Sequence, residues 1–225
     1  MFPLKDLNRS TTTPHVNRLL LALNIVIFAV YWLSASGILL NDRFAVEIED
    51  KFVMVPYDIV HGQRLYTLFT SMFMHAGWVH LLGNMLYLFI FGDNVEDVFG
   101  HVGYFFFYII CGLAAAFAYI MSLTNPADLY YGLLGASGAI SGVLGAYAIL
   151  YPKAKVITLI FYFVLPVPAI AFLGFWFVMQ WLYAVFDITS GVAYWAHVGG
   201  FAAGMILALI FGLGLKKKRD ARLRL

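Results

Sequence analysis

The sequence predicts an all-α polytopic membrane protein of six transmembrane helices with both termini cytoplasmic. Three observations predict it: a composition too apolar for water, six apolar runs near bilayer length, and a one-sided distribution of basic residues. Of 225 residues, 63% are hydrophobic and 18% aromatic, while only 12% are charged; an ordinary soluble domain carries about 25% charged residues. That much apolar surface requires lipid as its solvent. The formal net charge of +2 implies no nucleic-acid or acidic partner. The single cysteine, Cys111, precludes an intrachain disulfide and reads as a small core side chain within an apolar run.

A membrane span needs roughly 20 mainly apolar residues. Residues 19–38 form the first. Residues 78–91 are the core of the second, extendable back through 69–74 and forward toward Val95. Residues 102–123 form the third and 134–150 the fourth. A longer run, 156–186, is broken by Pro166 and Pro168, and reads as a short interfacial lead followed by a fifth span over 167–186. Residues 194–215 form the sixth. The resulting organisation is a short cytoplasmic lead (1–18, with a flexible Thr/Pro stretch over 10–14), a membrane domain (19–215) and a basic tail (216–225). The first run lacks the pattern of a cleavable signal peptide. Cytoplasmic segments hold the excess of Lys and Arg. Six spans put Lys5, Arg9, Arg18, Lys153, Lys155 and the six basic residues of the tail on one side, 11 of the 14 present. The acidic stretch Asp93 to Asp97 falls on that same side with no basic residue beside it. The first outer loop, about 39–66, reads either as a structured cap or as a solvated amphipathic connector. The tail reads as an orientation anchor and contact for anionic lipid.

Polar side chains within apolar spans are costly unless paired or functional. The second span carries His75, His80 and Asn84; the fourth, Ser137 and Ser141; the sixth, His197; Asp187 ends the fifth. Spans two, four and six all run inward, so His80, Ser137 and His197 lie within about one turn of the outer ends of their helices at 1.5 Å per residue. His75 lies just outside, and Asn84 one turn below His80 on the same face. These groups converge at one depth. Small residues Gly138, Gly142, Gly200 and Gly204 let spans four and six pack closely, with Ser137 opposite His197. Plain glycine-mediated packing, with no chemistry attached, explains either pattern taken alone.

Together the residues fit acyl transfer. A neutral imidazole within hydrogen-bond reach activates a serine hydroxyl. Gly135-Ala136-Ser137-Gly138 sets that serine at a helix start, where backbone N–H groups lack intrahelical partners and face a developing anion. Donors from His80 and Asn84 would complete an oxyanion hole. No third acid is evident, since nothing places Asp187 beside His197, so a Ser–His dyad is the economical assignment.

At this point the sequence resembles the rhomboid family of intramembrane serine proteases. The stretch from His75 to Asn84 (HAGWVHLLGN) is similar to that family's second-helix motif, Gly135-Ala136-Ser137-Gly138 to its GxSG motif, and Ala196 to Gly204 (AHVGGFAAG) to its sixth-helix pattern. The resemblance implies a compact six-helix rhomboid-like bundle that cleaves transmembrane substrates in or near the bilayer. It implies Ser137 as nucleophile, His197 as base, His80 and Asn84 as oxyanion donors beside Gly135 and Ala136, and His75 in support. Some members carry a tyrosine four residues after the serine, stacked on the histidine. Ser141 stands there in this chain, so the imidazole must be oriented otherwise, with Trp195 and Phe201 as candidates. The fifth span, with Phe172, Phe175, Trp176 and Tyr183, reads as a lateral gate or as ordinary lipid-facing aromatics.

Other chemistries fit less well. A zinc protease needs HExxH, which the sequence does not contain, and no metal or other cofactor is expected. An aspartyl type needs two carboxyls sharing a proton, yet Asp93 and Asp187 fall on opposite sides. A transporter or channel would need polar residues through the inner halves of the spans. A catalytically silent rhomboid-like protein that binds membrane clients is the alternative from another class. The expected partners are single-span or other transmembrane proteins and the lipid bilayer, with oligomeric state open. The expected location is the plasma membrane of a prokaryote, with the active site facing outward.

Overall fold

The computed structural model describes residues 1–39, 42–186 and 191–223. After strand β1 (Phe2–Asp6) come helices α1 (His15–Ala35), α2 (Asp42–Phe52), α3 (Pro56–Val60), α4 (Thr67–Thr70), α5 (Trp78–Phe99), α6 (His101–Ser122) and α7 (Ser137–Leu150). Strands β2 (Lys155–Ile160) and β3 (Phe163–Pro168) follow, and then α8 (Ala169–Val185), α9 (Tyr194–Leu207) and α10 (Leu213–Arg222). A π-helical turn, Ala208–Gly212, joins α9 to α10 as one long run.

Among the described residues three helices are long and apolar enough to cross a membrane: α1, α6 and Tyr194–Arg222. A fourth is reached if Thr67–Phe73 and α5, bent by 93° at the break between them, count as one span. The chain is therefore a mostly helical, polytopic membrane protein. Two further apolar helices are shorter, α7 with 14 residues and α8 with 17. At 1.5 Å per residue α7 is about 21 Å long, well short of the roughly 30 Å hydrocarbon core. Such a helix needs protein around it, and α7 has that: α5, α6, α8 and α9 all pack on it, and all its residues but Ser137 and Ile149 are buried. Its apolar side chains (Ile140, Val143, Leu144, Tyr147) form the centre of the main core with Leu88 and Phe91 of α5, and with Tyr104 and Tyr108 of α6.

Two local expectations change, and an open one is decided. The run over 156–168 is not an interfacial lead to a helix; it is a β-hairpin, and β1 adds to it to make an antiparallel sheet of order β1-β2-β3. A small sheet is thus added to a fold that is otherwise helical, as expected. The β-branched residues of Lys155–Ile160 suit a strand. Pro166 and Pro168, which break a helix, sit on the edge strand, where a missing N–H is tolerated. Of the two readings of 39–66, the structured cap is favoured over the solvated amphipathic connector, since the segment folds, where described, into α2 and α3 and Met54 pairs with Leu133.

The other change concerns residues 6–17, which dock on the last turns of α5. Asp97 accepts hydrogen bonds from the backbone N–H groups of Thr11 and Thr12, both at 3.0 Å. It also accepts from Arg219 of α10, at 2.7 Å. The acidic stretch therefore does have a basic partner, brought from the far end of the chain. Glu96, fully buried, accepts from the N–H groups of Val16 and Asn17 at 2.9 and 2.7 Å. That carboxylate supplies α1 with the cap that Pro14 does not provide. Asp6 accepts from Tyr147 Oη at 2.6 Å and from Asn94 Nδ2 at 3.0 Å, tying β1 to α7 and α5.

Burial pushes the Asp6 carboxyl up from the usual 3.8 to about 6; the Tyr147 hydrogen bond opposes the shift and the nearby charge of Asp93 adds to it. Between those two values the folded chain binds more protons at Asp6 than the unfolded chain does. Acidification through that window therefore stabilises the docked strand, and the gain is lost as pH rises through about 6. The thermal midpoint in detergent is expected to rise from pH 7.5 to pH 5 more in wild type than in Asp6→Asn. A larger rise in the variant would contradict this.

Candidate active site

Ser137 is the first residue of α7, so the N–H groups around it have no intrahelical acceptor and face the space above the helix. The chain reaches it through Gly135, whose φ of +124° lies where side chains are rarely tolerated. Gly135 N–H donates to Ser71 O at 2.9 Å, and Leu133 exchanges two backbone hydrogen bonds with Met54 of the cap. These bonds fix the loop before the serine. A Cβ on Gly135 would lie 2.7 Å from His80 Nε2, so the His80 ring occupies the place of that missing side chain, beside Ser137.

His197 is in the first turn of α9. Its Nε2 stands 2.8 Å from Ser137 Oγ. Its Nδ1 stands 2.8 Å from Gln180 Oε1 of α8. An amide oxygen can only accept, so Nδ1 carries the proton and Nε2 presents its lone pair to the serine hydroxyl. That is the tautomer a general base requires.

The approach of α7 and α9 brings these groups together. A Cβ on Gly200 would lie 2.0 Å from Gly138 O, one on Gly204 1.9 Å from Gly142 O, and one on Gly145 2.2 Å from Phe201 O. The helices meet backbone to backbone. Cys111 of α6 fills the neighbouring gap at Gly142 and is fully buried.

The remaining polar residues sort themselves around this centre. Asn84 and His75 are both buried, with Asn84 Nδ2 2.9 Å from His75 Nε2. His75 and His80 meet edge to face at 5.0 Å. Ser141 does not touch the imidazole; its hydroxyl donates to Ser137 O at 2.6 Å, one turn back in its own helix. The rings beside His197 are Trp176 at 6.0 Å and Tyr194 at 6.3 Å. They replace the expected Trp195 and Phe201, and Phe201 instead stacks on Trp176 and Phe177. Asp187 lies outside the described residues. Gln180 and Trp176 are the contacts sequence reasoning missed. Gln180 carried a usable signal as the one amide in the fifth apolar run. A small recess lined by Leu68, Met72, Ala115, Leu133 and Ala196 opens beside Ser137.

Residues 62–214 match the family model described as the Rhomboid domain. The chain belongs to the rhomboid family. This rhomboid is 30% identical over 210 residues to Rhomboid protein 1, mitochondrial, of Saccharomyces cerevisiae, across 91% of its own length and 56% of that relative. It is 33% identical over 162 residues to RHOMBOID-like protein 1 of Arabidopsis thaliana, across 68% and 36%. It is 30% identical over 166 residues to RHOMBOID-like protein 12, mitochondrial, of Arabidopsis thaliana, across 68% and 48%. The rhomboid chain thus spans about half or less of the length of these relatives. Their eukaryotic sources, two of them with mitochondrial in the name, overturn the expectation of a prokaryotic plasma membrane.

The helix contact generates a direct expectation. Gly204→Ala places a methyl group against a backbone carbonyl, which cannot yield as a flexible side chain would. Overpacking typically costs about 1–3 kcal/mol, and this site should reach at least the upper part of that range. Equilibrium unfolding in detergent would show it, and a variant as stable as wild type would contradict the rigid contact.

Proposed function

We propose that this rhomboid is an intramembrane serine endopeptidase that cleaves transmembrane-segment substrates in or near the bilayer with a Ser137–His197 dyad. The observation that carries the reading is the 2.8 Å contact of Ser137 Oγ with His197 Nε2, with Nδ1 held on an amide oxygen. His197 Nε2 takes the hydroxyl proton as Oγ bonds to the scissile carbonyl carbon. The proton then passes to the leaving amine as the C–N bond breaks. A water, deprotonated by the same nitrogen, releases the acyl group and restores the serine.

The oxyanion formed in each step is stabilised by the N–H groups at the start of α7, with His80 and Asn84 as further donors. Asn84 spends one amide hydrogen on His75 and keeps the other for this role, so His75 supports the site by orienting Asn84. Six spans with both termini on one side remain the arrangement that best fits the apolar runs: α1, α5, α6, α7, α8 and α9. Because α7 is too short to fill the hydrocarbon core, its N-terminus lies below the lipid surface. Irregular backbone at that depth is tolerated where it lines a polar cavity, which would also admit the water that hydrolysis needs. A substrate reaches such a site sideways, with α8 as the candidate gate. The names of the relatives favour a eukaryotic organellar membrane.

Fluorophosphonate labelling and cleavage of a transmembrane reporter test the reading. Wild type is expected to react in both, and Ser137→Ala and His197→Ala in neither, with their thermal midpoints preserved. Asn84→Ala should retain activity lowered by about 100- to 1,000-fold, the usual loss for one oxyanion donor. A folded wild type inert in both assays would shift the balance to a client-binding protein.

A further inference from the structure

The two halves of α8 are held differently. Its fully buried residues, Ala169, Phe172 and Leu173, all lie in the first five positions. There β3 runs straight into the helix, and the N–H groups of Ala169 and Ile170 donate to Ala154 O and Pro152 O at 2.7 and 3.1 Å. Beyond Leu173 no residue of the helix is fully buried. That half meets α9 through stacking of Phe177 on Phe201 at 4.7 Å and Trp176 on Phe201 at 6.0 Å. It meets it also through Gln180 on His197. Gln180 is the one amide in a helix otherwise made of apolar and aromatic residues and glycine, where a polar side chain without a partner is costly. It sits eleven residues past Ala169, about 16 Å along the axis. A tilt of α8 by about 10° around its anchored end would move it by about 3 Å, enough to break a 2.8 Å hydrogen bond.

We infer that Gln180 is a positioning residue for the base, and that through it the alignment of the Ser137–His197 dyad depends on α8 lying against α9. The inference rests on the protease reading above. With Gln180 in place, the Nδ1 proton has an acceptor, the ring cannot turn, and Nε2 stays on Ser137. With α8 tilted away, the imidazole loses that partner and can adopt the other tautomer, which offers Ser137 a proton where it needs a lone pair. The dyad is then assembled by the same helix movement that closes the bundle, so a half-seated substrate meets an unready serine. An amide in this place orients the ring while adding no charge at a depth where charge is expensive.

The test uses the full chain in detergent, with Gln180→Leu (similar volume, no acceptor) and Gln180→Glu (an acceptor oxygen at the same reach). The readouts are fluorophosphonate labelling rate and the kcat and KM of a transmembrane reporter. Gln180→Leu is expected to lower the labelling rate and kcat by about 10- to 100-fold, the scale of a misaligned catalytic group, with KM within about twofold and thermal midpoint unchanged. Gln180→Glu is expected to recover most of kcat. Phe177→Ala, which loosens the α8–α9 contact away from the imidazole, should lower kcat in the wild-type background and add nothing to Gln180→Leu. Wild-type kcat in Gln180→Leu, equal loss in both Gln180 variants, or full additivity with Phe177→Ala would each overturn the inference. A wild type that neither labels nor cleaves would instead overturn the protease reading itself.

Discussion

The contact on which the rest of the structure depends is the backbone-to-backbone approach of α7 and α9. Where Gly138 meets Gly200 and Gly142 meets Gly204, no Cβ could be added to α9 without striking a carbonyl oxygen of α7. In lipid the hydrophobic effect does little to draw helices together, so close van der Waals packing of small residues has to supply the attraction. The same contact sets chemistry. Ser137 and His197 each stand one or a few residues from a contact glycine, on rigid helical turns, and their 2.8 Å separation is inherited from that packing. A looser pair of helices would leave both residues present and the dyad apart.

Two clusters of polar side chains stand at opposite ends of the bundle, with Asn24 buried between them in α1, and the clusters do different work. Immediately around Ser137 they are few, uncharged at neutral imidazole, and arranged around one hydroxyl: His80 against Gly135, Asn84 on His75, Gln180 on His197. At the opposite end they are many and largely charged. Glu96 caps α1, while Asp97 gathers Thr11, Thr12 and Arg219. Charge-assisted hydrogen bonds of this kind are stronger than neutral ones. They bring both chain termini onto α5 and leave α7 fixed at that end through Tyr147 and Asp6. One end of the molecule is a clamp and the other a site. The helix that departs from this pattern is α8, gripped by the sheet at one end and touching the site at the other through the Gln180 amide and the Trp176 ring.

The sequence by itself determined the solvent, the order of the apolar helices, and that Ser137 and His197 stand in the first turns of neighbouring helices, because these depend on local quantities: composition, run length and depth along a helix. Leu19, Trp78, Val102 and Tyr194 each fell within a few residues of an observed helix start. Only the tertiary structure decided the sheet, since β1 and β2 pair across some 150 residues and neither strand announces its partner. It alone decided that Asp97 would find Arg219 more than 120 residues away, and that Trp176 would take the place beside the imidazole expected of Trp195 or Phe201. Gln180 lay between these cases. Its polarity was legible in an apolar run, but its aim was not, because whether an amide on one helix reaches an imidazole on another depends on how both helices are rotated and tilted. Those angles are set by the whole bundle's packing and by no segment of it alone.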